Sequence, residues 1–405
     1  MTKDRFYKHV GPEELTRIVF NGPSPAYFLF RRIISSQLDL LKGCLGDRFF
    51  IHYALKANPN PELLSFLAGL GLGADVASGG ELEAALAAGF PPERIGFTGP
   101  GKSQSELSRA IEVGIGAVNV ESFLELELIA ALSRQKRVRS RVGIRVNPAR
   151  AKAKAGLRMA GDTHFGLAEA QVPAALEYLR DRPDELDFAG LHVHAGSQIL
   201  KAESVVENME SILALALRLD GLSILPLVGI NFGGGWGINY FPGQAGLDLD
   251  LIRQGLKALL ARPEYAELLE GVRLVVEPGR FLVGESGVYA TRILYRKQGH
   301  RTDFAIVDGG MHHHYLLVGG MGQVIRRNFE TDFLSLEERT RTPHLKLDVA
   351  GRLCTPQDVL ATGLSPGREV LPGDRVVFFN SGAYGPSASP TGFLSHPPPA
   401  EILLD

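Results

Sequence analysis

Cysteine is scarce in this chain of 405 residues, which contains only Cys44 and Cys354. Two cysteines exclude a disulfide framework and a cysteine-rich zinc module, and they favour a reducing, cytoplasmic location. A charge excess is also lacking, because 43 Lys and Arg stand against 45 Asp and Glu. The composition therefore predicts neither nucleic acid nor an anionic membrane as a partner.

Long apolar runs are absent as well. No stretch of 18 uninterrupted apolar residues occurs, so we expect no membrane span. Residues 1–5 are polar and lead into no apolar signal core. The chain has 45% apolar residues, and its 47 Gly and 24 Pro are spread along its length. This composition is typical of a globular protein with many turns.

Short apolar runs alternate with amphipathic stretches between about residues 48 and 280, which predicts a parallel sheet with helices between its strands. Eight runs can be counted, at 49–55, 74–77, 95–98, 117–120, 142–146, 188–194, 227–232 and 274–277. Helices are predicted at 61–68, 80–88, 104–113, 122–133, 168–179 and 203–219. Eight repeats predict a closed (β/α)8 barrel, a fold of the α/β class, over residues 48–280.

The remainder of the chain, 281–405, alternates in the manner of strands and predicts a C-terminal β-rich domain. Its strands are expected at 287–294, 304–307, 346–349 and 375–379. Residues 1–47 precede the first barrel strand and contain a predicted strand at 27–30 and a helix at 33–41. We expect this N-terminal segment to join the β-rich domain.

Polar residues and glycines follow the predicted strands, and in such barrels the chemistry lies at the carboxyl ends of the strands. The candidates are Lys56, Asp75, Ser78, Asn147, His194, Ser197, Gly233, Gly234, Gly235, Glu277 and Arg280. Each alone has a structural alternative, since three glycines can form a tight turn and a glutamate can be a solvated loop residue. Their coincidence at one rim favours a functional site.

The residue types point to a particular chemistry. Burial would lower the pKa of Lys56 toward nucleophilic values, although an exposed strand-end lysine is the alternative. Glycines after the seventh strand let backbone N–H groups approach a phosphate. A carboxylate such as Glu277 can keep the pyridine ring of pyridoxal phosphate protonated. His194 lies at the rim, where it can stack on a flat cofactor, whereas His192 fits a hydrogen-bonded core histidine.

Seven motifs together resemble one family along nearly the whole chain. They are Tyr-Ala-Leu-Lys-Ala-Asn at 53–58, Ala-Asp-Val-Ala-Ser at 74–78, His-Ala-Gly-Ser-Gln at 194–198, Gly-Gly-Gly at 233–235, Glu-Pro-Gly-Arg at 277–280, Cys354 with Asp358, and Gly-Ala-Tyr-Gly at 382–385. The sequence resembles the fold type III pyridoxal-phosphate decarboxylases, the ornithine and diaminopimelate decarboxylase superfamily. The resemblance implies an alanine racemase-like fold, pyridoxal 5'-phosphate as cofactor, and a homodimer with shared active sites.

The resemblance also implies residue roles. Lys56 would carry the cofactor as a Schiff base, His194 would stack on its ring, Glu277 would meet the pyridine nitrogen, and Cys354 of the partner chain would donate a proton. The implied cofactor-binding residues are Lys56, Asp75, His194, Ser197, Gly233, Gly234, Gly235, Glu277, Gly279, Arg280 and Tyr384. Asp358 is an implied substrate-binding residue, and so is Arg280 in some relatives. Cys44 matches no motif and is expected to be a buried small hydrophobe.

The substrate is where this chain departs from the diaminopimelate decarboxylases. Those enzymes usually carry a glutamate after the catalytic cysteine, where Thr355 stands here, and an Arg-Pro segment near His312-His313-His314. The residues 393–397 also look more like the branch that acts on carrier-protein-tethered amino acids. A tethered aminoacyl substrate is therefore predicted, with diaminopimelate or another free basic amino acid as the alternative.

The sequence also allows other interpretations. Residues 149–162 form a basic stretch that is predicted to be a solvated loop, a mobile lid, or a docking surface for an acidic carrier protein. Metal binding by the three consecutive histidines is not expected, because successive strand residues point to opposite faces. A racemase and a non-catalytic binding homologue are the remaining classes. The Cys354 and Asp358 pair speaks against the first, and the complete set of cofactor residues against the second.

Overall fold

In the computed structural model, the described residues are 2–148, 157–158, 161, 163–320, 327–342 and 344–405. The chain divides into two compact units. The β-rich unit comprises Met1–Leu38, Ile238–Gly246 and Arg280–Asp405, and the barrel unit comprises Asp39–Gly237 and Leu247–Gly279. The domain bounds inferred from the sequence, 1–47, 48–280 and 281–405, stay predictions.

Eight parallel strands close into a barrel in the barrel unit, as the sequence predicts. In chain order they are Phe49–Ala54, Gly73–Val76, Ile95–Thr98, Ala117–Val120, Ser140–Asn147, Leu186–His192, Gly229–Asn231 and Arg273–Val276. Each strand pairs with the next one along the chain. The eighth strand pairs with the first, with Leu274 opposite Phe49, and this pairing closes the barrel.

Helices separate the barrel strands, and serines start three of them. The helices are Arg31–Leu45, which crosses between the units, Pro61–Gly69, Gly79–Ala87, Gln104–Val113, Phe123–Lys136, Val172–Arg180, Ala202–Asp220, Leu249–Leu260 and Pro263–Leu268. Ser78, Ser103 and Ser122 each accept a hydrogen bond from the backbone N–H of a glutamate three residues later. Because an N-cap oxygen satisfies an otherwise unpaired N–H, the Ser-x-x-Glu pattern sets where these helices begin. Ser78, a rim candidate in the sequence, is thus a helix cap.

Most residues of the barrel strands are apolar, which is typical of parallel strands covered on both faces. Val118, Val120, Val142 and Ile144 are at most 2% exposed. Short elements in the described part of the barrel unit are the strands Leu157–Arg158, Leu167–Ala168 and Gly196–Ser197 and the 3-10 turns Leu55–Ala57, Pro92–Arg94 and Glu169–Gln171. The turn Leu55–Ala57 directly follows the first strand, so it places Lys56 at the carboxyl end of the barrel.

The β-rich unit is built on a mixed sheet, and this second unit agrees with the predicted fold class. Along the sheet, the strands run Thr331–Leu334, Arg375–Phe378, Gly287–Lys297, Asp303–Val307, Leu347–Ala350 and Val359–Leu364. Ala26–Phe30 pairs antiparallel with Gly287–Lys297 and parallel with Ala400–Leu404. The first and last parts of the chain therefore meet in one sheet.

Aromatic packing fills the core of the β-rich unit. The Phe6 ring lies 5.5 Å from that of Phe30 and 5.2 Å from that of Phe379, both edge to face. Helices and 3-10 turns of this unit are Lys3–His9, Pro12–Asn21, Arg280–Val283, Gly284–Ser286, Tyr315–Val318, Pro386–Ala388 and Phe393–Ser395. Among the helices within the described ranges, none has the length and apolar character that a bilayer crossing requires.

Candidate active site

Lys56 and Asp75 form an ion pair at the carboxyl end of the barrel. The Lys56 Nζ lies 3.4 Å from Asp75 Oδ2. The Lys56 side chain is 46% exposed, whereas that of Asp75 is only 2% exposed. Burial, with the nearby charge of Glu277, raises the pKa of Asp75 to about 7, although Lys56 opposes the rise. The amine is thus reachable from solvent and stands beside a buried carboxyl group.

Glu277 follows the eighth strand, and two side chains hold its carboxylate. His192 Nε2 lies 3.1 Å from Glu277 Oε2, and Asn231 donates a 2.6 Å hydrogen bond to Oε1. Burial opposes ionisation, but the interactions with His192 and Lys56 outweigh it and keep the pKa of Glu277 well below its usual range. Glu277 is therefore a fixed, buried anion. His192 is a buried, hydrogen-bonded histidine, as predicted.

His194 lies just beyond the sixth strand and contacts the glycine loop. The N–H of Gly234 donates to His194 Nδ1 at 3.2 Å. Burial and the charge of Lys56 lower the pKa of His194 to about 3, so its ring is neutral. A neutral, partly exposed imidazole with Nδ1 serving as acceptor presents a flat ring face at the rim.

The glycine loop after the seventh strand packs too closely for side chains. A Cβ at position 234 would lie 2.2 Å from the Glu277 carbonyl oxygen, and one at 235 would lie 2.2 Å from that of Gly196. Gly233 and Gly235 also have φ of +64° and +96°, which glycine adopts without strain. Gly279 similarly leaves room for the turn that carries Lys56, since its Cβ would lie 2.9 Å from that of Ala57.

Two further predicted residues of the barrel unit, Ser197 and Asn147, each lie at the end of a strand. Ser197 ends the short strand Gly196–Ser197, which pairs with Leu157–Arg158. Asn147, a rim candidate, donates a 2.8 Å hydrogen bond to the Gly161 carbonyl oxygen. This bond links the end of the fifth strand to Gly161. Arg150, Lys152 and Lys154, which belong to the stretch predicted as a lid or docking surface, lie outside the described residues.

Arg280 and Tyr384 contact each other within the β-rich unit. The Arg280 guanidinium lies 4.4 Å from the centre of the Tyr384 ring and donates a hydrogen bond to the Tyr240 hydroxyl. Tyr384 has a φ of +56°, a strained value for a tyrosine that recurs at functional sites. The sequence-based prediction does not include Tyr240. Its contact with Arg280 in the structure identifies it as a neighbour of a predicted site residue.

Cys354 and Asp358 lie on one loop of the β-rich unit but differ in environment. Cys354 is exposed, whereas Asp358 is 2% exposed. Asp358 Oδ1 accepts a 2.6 Å hydrogen bond from Met311 N–H, and Oδ2 accepts one of 2.8 Å from Leu353 N–H. Burial raises the pKa of Asp358 against these two bonds. The substrate-binding role of Asp358 stays a prediction. In the structure, its carboxylate accepts hydrogen bonds from backbone N–H groups.

The three histidines 312–314 are part of the core. His313 Nδ1 lies 3.1 Å from the Tyr289 hydroxyl, and His314 Nε2 lies 3.0 Å from Ser381 Oγ. Burial lowers the pKa of His312 and His314 to about 3 and that of His313 to about 4, so these rings are neutral. Within the ranges that the structure describes, no three His, Cys, Asp or Glu side chains are arranged to hold a metal ion.

The barrel residues fit pyridoxal phosphate. Lys56 offers an accessible amine for an aldehyde, and Glu277 offers a buried anion for a protonated pyridine nitrogen. Asp75 Oδ1 is buried without a hydrogen-bond partner in the described part of the chain, so an acceptor beside Lys56 is unfilled. Buried polar atoms normally have partners, and an unfilled acceptor here indicates a place for a polar ligand.

Two residues that hold Glu277 were not assigned to the site from the sequence. Asn231 ends the seventh strand, and His192 ends the sixth. Strand-end position alone would have selected Asn231, because it stands in the same rim layer as the other candidates. His192 was separated from the site because it precedes the rim histidine by two residues.

The chain is similar to proteins of known activity. A family model of the pyridoxal-binding domain of pyridoxal-dependent decarboxylases matches residues 31–284. The chain is 34% identical to the L-glutamyl-[BtrI acyl-carrier protein] decarboxylase of Niallia circulans, over 96% of this chain and 91% of that protein. It is 32% identical to the diaminopimelate decarboxylase of Pseudomonas aeruginosa, over 96% and 90%. The solved diaminopimelate decarboxylase of Helicobacter pylori, complexed with L-lysine, superposes with a TM-score of 0.83 at 30% identity, covering 97% and 94%.

Proposed function

The chain belongs to the family of pyridoxal-dependent decarboxylases, and from this premise we propose that it decarboxylates an amino acid tethered to a carrier protein. The reaction type and the cofactor, pyridoxal 5'-phosphate, come with the family. The observation that carries the substrate proposal is the 34% identity, over almost the whole chain, to an enzyme named for an aminoacyl carrier protein.

The tether must be on the side away from the reacting carbon. Decarboxylation needs a free α-carboxylate, so an amino acid such as glutamate must be joined to its carrier through the distal carboxyl group. That linkage removes the distal negative charge. A substrate of this kind needs no cationic clamp at its far end, in contrast to free diaminopimelate with its second carboxylate and ammonium.

The residue after Cys354 is uncharged, where the diaminopimelate decarboxylases usually carry a glutamate. Thr355 follows Cys354, and the histidines 312–314 are buried and neutral because their pKa values lie at about 3 to 4. Neutral side chains cannot pair with a free distal carboxylate. Thr355 in place of that glutamate favours a tethered substrate over diaminopimelate.

The roles proposed for the protein groups follow from their chemistry. Lys56 would hold the cofactor aldehyde through its amine and would release it to the amino group of the substrate. Glu277, as a fixed anion, holds a proton on the pyridine nitrogen. Pyridoxal phosphate supplies, when bound, a conjugated ring that takes up the electron pair left on Cα as CO2 departs. The Cys354 thiol would supply the proton that takes the place of the carboxyl group on Cα, and the Lys56 amine would take back the cofactor as the product amine leaves.

The proposal includes a homodimer, with Cys354 serving the partner's site, and a cytoplasmic location. The dimer rests on the family resemblance, and the location on the low cysteine content. Sedimentation equilibrium of the holoenzyme tests the first part. Complementation between Lys56→Ala and Cys354→Ala chains tests the shared site: mixed dimers should recover part of the activity that each variant alone lacks.

A CO2-release assay tests the substrate. Free glutamate, diaminopimelate, ornithine and lysine are compared with glutamate and diaminopimelate loaded on an acyl carrier protein through their distal carboxyl groups, with the unloaded carrier as competitor and the Lys56→Ala variant as blank. We expect a kcat/KM at least about 100-fold higher for a carrier-bound amino acid, equivalent to about 3 kcal/mol. Equal or faster turnover of free diaminopimelate would assign the chain to that activity instead.

A further inference from the structure

The side chain of Asn231 joins two parts of the barrel site. Its amide nitrogen donates to Glu277 Oε1 at 2.6 Å, and its Oδ1 accepts from the N–H of Gly233 at 2.9 Å. Glu277 lies 46 residues away along the chain. One amide group therefore links the first residue of the glycine loop to the carboxylate proposed to face the pyridine nitrogen.

The Gly233 N–H determines which way the amide points. A backbone N–H can only donate, so the atom of Asn231 that faces it must be the oxygen. The amide nitrogen then necessarily faces Glu277, whose ionised carboxylate can only accept. The flip state of the amide, which geometry alone leaves ambiguous, is thus fixed by the partners on both sides.

The same bonds show which loop N–H groups are already used. Gly233 N–H donates to Asn231, and Gly234 N–H donates to His194 Nδ1. Both acceptors belong to residues that hold, or lie next to, the ring end of the proposed cofactor site. The N–H groups of Gly233 and Gly234 are therefore directed to residues at that ring end.

We propose that Asn231 is a positioning residue for Glu277, and that the N–H of Gly233 orients Asn231 instead of binding phosphate. The inference rests on the proposed role of Glu277. His192 holds the other carboxylate oxygen at 3.1 Å, so both oxygens of Glu277 are fixed from opposite sides. Removal of the Asn231 donor leaves the carboxylate free to turn about its remaining contact, and a hydrogen bond to a charged group is lost.

The test measures cofactor binding by the full-length chain after removal and re-addition of the aldehyde, followed through visible absorbance. Dissociation constants are determined for pyridoxal phosphate and for pyridoxal, which lacks the phosphate, in wild type, Asn231→Ala, Glu277→Gln and the double variant. We expect Asn231→Ala to weaken both ligands by the same factor, about tenfold. In the Glu277→Gln background the effect of Asn231→Ala should fall below about twofold, because the two residues act as a unit.

The matched control is Asn119→Ala. Asn119 is likewise an asparagine on a barrel strand, although it is more buried than Asn231, and its amide donates to Thr98 Oγ1. The Asn119→Ala variant should have both dissociation constants within about twofold of the wild-type values. Asn231→Leu, which keeps the branched shape, serves as a second variant, and thermal melting of each protein shows that a loss of binding is not a loss of fold.

Each contrary result has its own meaning. Weaker binding of pyridoxal phosphate alone would overturn the inference, because it would place Asn231 and Gly233 at the phosphate. An undiminished effect in the Glu277→Gln background would overturn it as well. If Glu277→Gln weakens binding and Asn231→Ala does not, only the inference fails. If Glu277→Gln has no effect, the proposed role of Glu277 fails and the inference fails with it.

Discussion

At the scale of single residues, burial and near neighbours decide which site groups carry charge. Asp75 and Glu277 are both buried carboxyl groups, yet the pKa of the first is raised and that of the second is lowered. The difference lies in their partners, because Asp75 faces one amine at 3.4 Å while Glu277 is held by His192 and Asn231. Environment, and not residue type, therefore separates a titrating group from a permanent anion.

Replacement of Lys56 by Ala should abolish turnover and the visible absorbance of the bound cofactor. The amine of Lys56 is the group that the proposal joins to the aldehyde. Lys201→Ala, a change at an exposed lysine, is the control and should retain both signals. An absorption spectrum of each purified protein with added pyridoxal phosphate decides the matter. A coloured, active Lys56→Ala protein would contradict the assignment.

Replacement of Cys354 by Ala should change the outcome of the reaction more than the binding of substrate. Without the thiol, protonation at Cα slows, and a larger share of turnovers ends in abnormal transamination. The measurement is the ratio of CO2 released to aldehyde cofactor lost during turnover. Cys44→Ala is the control, because Cys44 is the other cysteine of the chain, is buried, and donates a hydrogen bond from its thiol to the Leu249 carbonyl oxygen. An unchanged ratio for Cys354→Ala removes it from this role.

At the scale of the element, one carboxylate organises the loop that carries Cys354. Asp358 accepts hydrogen bonds from Met311 and Leu353, and its own carbonyl oxygen accepts a 2.8 Å bond from Gly351 N–H. Gly351 leaves room for this arrangement, since a Cβ there would lie 2.1 Å from Asp358 Oδ2. The loop is therefore closed at its base by a buried acceptor, while the cysteine remains exposed.

Asp358→Ala should lower the free energy of unfolding by about 2–4 kcal/mol, because two buried N–H donors lose their acceptor. Chemical denaturation of the holoenzyme measures the loss. Asp348→Ala is the matched control: Asp348 accepts one N–H, from Gly363, at an exposed site, and its replacement should cost less than about 1 kcal/mol. A purely substrate-binding Asp358 would instead raise KM and leave the unfolding free energy unchanged.

At the scale of the whole molecule, buried neutral histidines make stability depend on pH. His312, His313 and His314 have pKa values of about 3, 4 and 3 in the folded chain, below their ordinary value of 6.5. The unfolded chain therefore binds more protons between pH 6.5 and 4, and stability falls as the pH falls through this window. Asp75, with its pKa raised to about 7, acts in the opposite direction, as do other buried carboxyl groups such as Asp358, whereas His194, with its pKa lowered to about 3, adds to the effect of the three histidines.

We expect the melting temperature to fall between pH 6.5 and 4.5, and the fall to be smaller in His314→Phe. His314 is fully buried among the rings of Tyr27, Tyr289 and Phe329, so a phenyl ring suits the site. One fully buried, neutral histidine of this kind lowers the free energy of unfolding by about 2–3 kcal/mol as the pH falls by two units. Calorimetry of the holoenzyme across this range measures the slope. His300→Gln, at an exposed histidine, is the control, and equal slopes for both variants would contradict the prediction.

Local signals in the sequence are sufficient to predict the architecture. Eight apolar runs and the helical spacing between them mark the barrel strands and helices to within a few residues, and the strand at Ala26–Phe30 lies in the sheet of the β-rich unit. These features follow from local signals: apolar periodicity, Ser-x-x-Glu caps and glycine or proline at the junctions. The decarboxylase family and its cofactor were also predicted from the motifs, and the comparisons confirm both.

The hydrogen-bond partners of the site residues become known only from the three-dimensional structure. Glu277 meets His192 across 85 residues and Asn231 across 46, Gly233 and Gly234 direct their N–H groups to side chains, and both oxygens of Asp358 face backbone donors. Residues 238–246, although flanked by barrel segments, belong to the β-rich unit. Such contacts depend on side-chain direction and on close approach between distant segments. Local periodicity carries no information about either, so they become visible only once the chain has closed on itself.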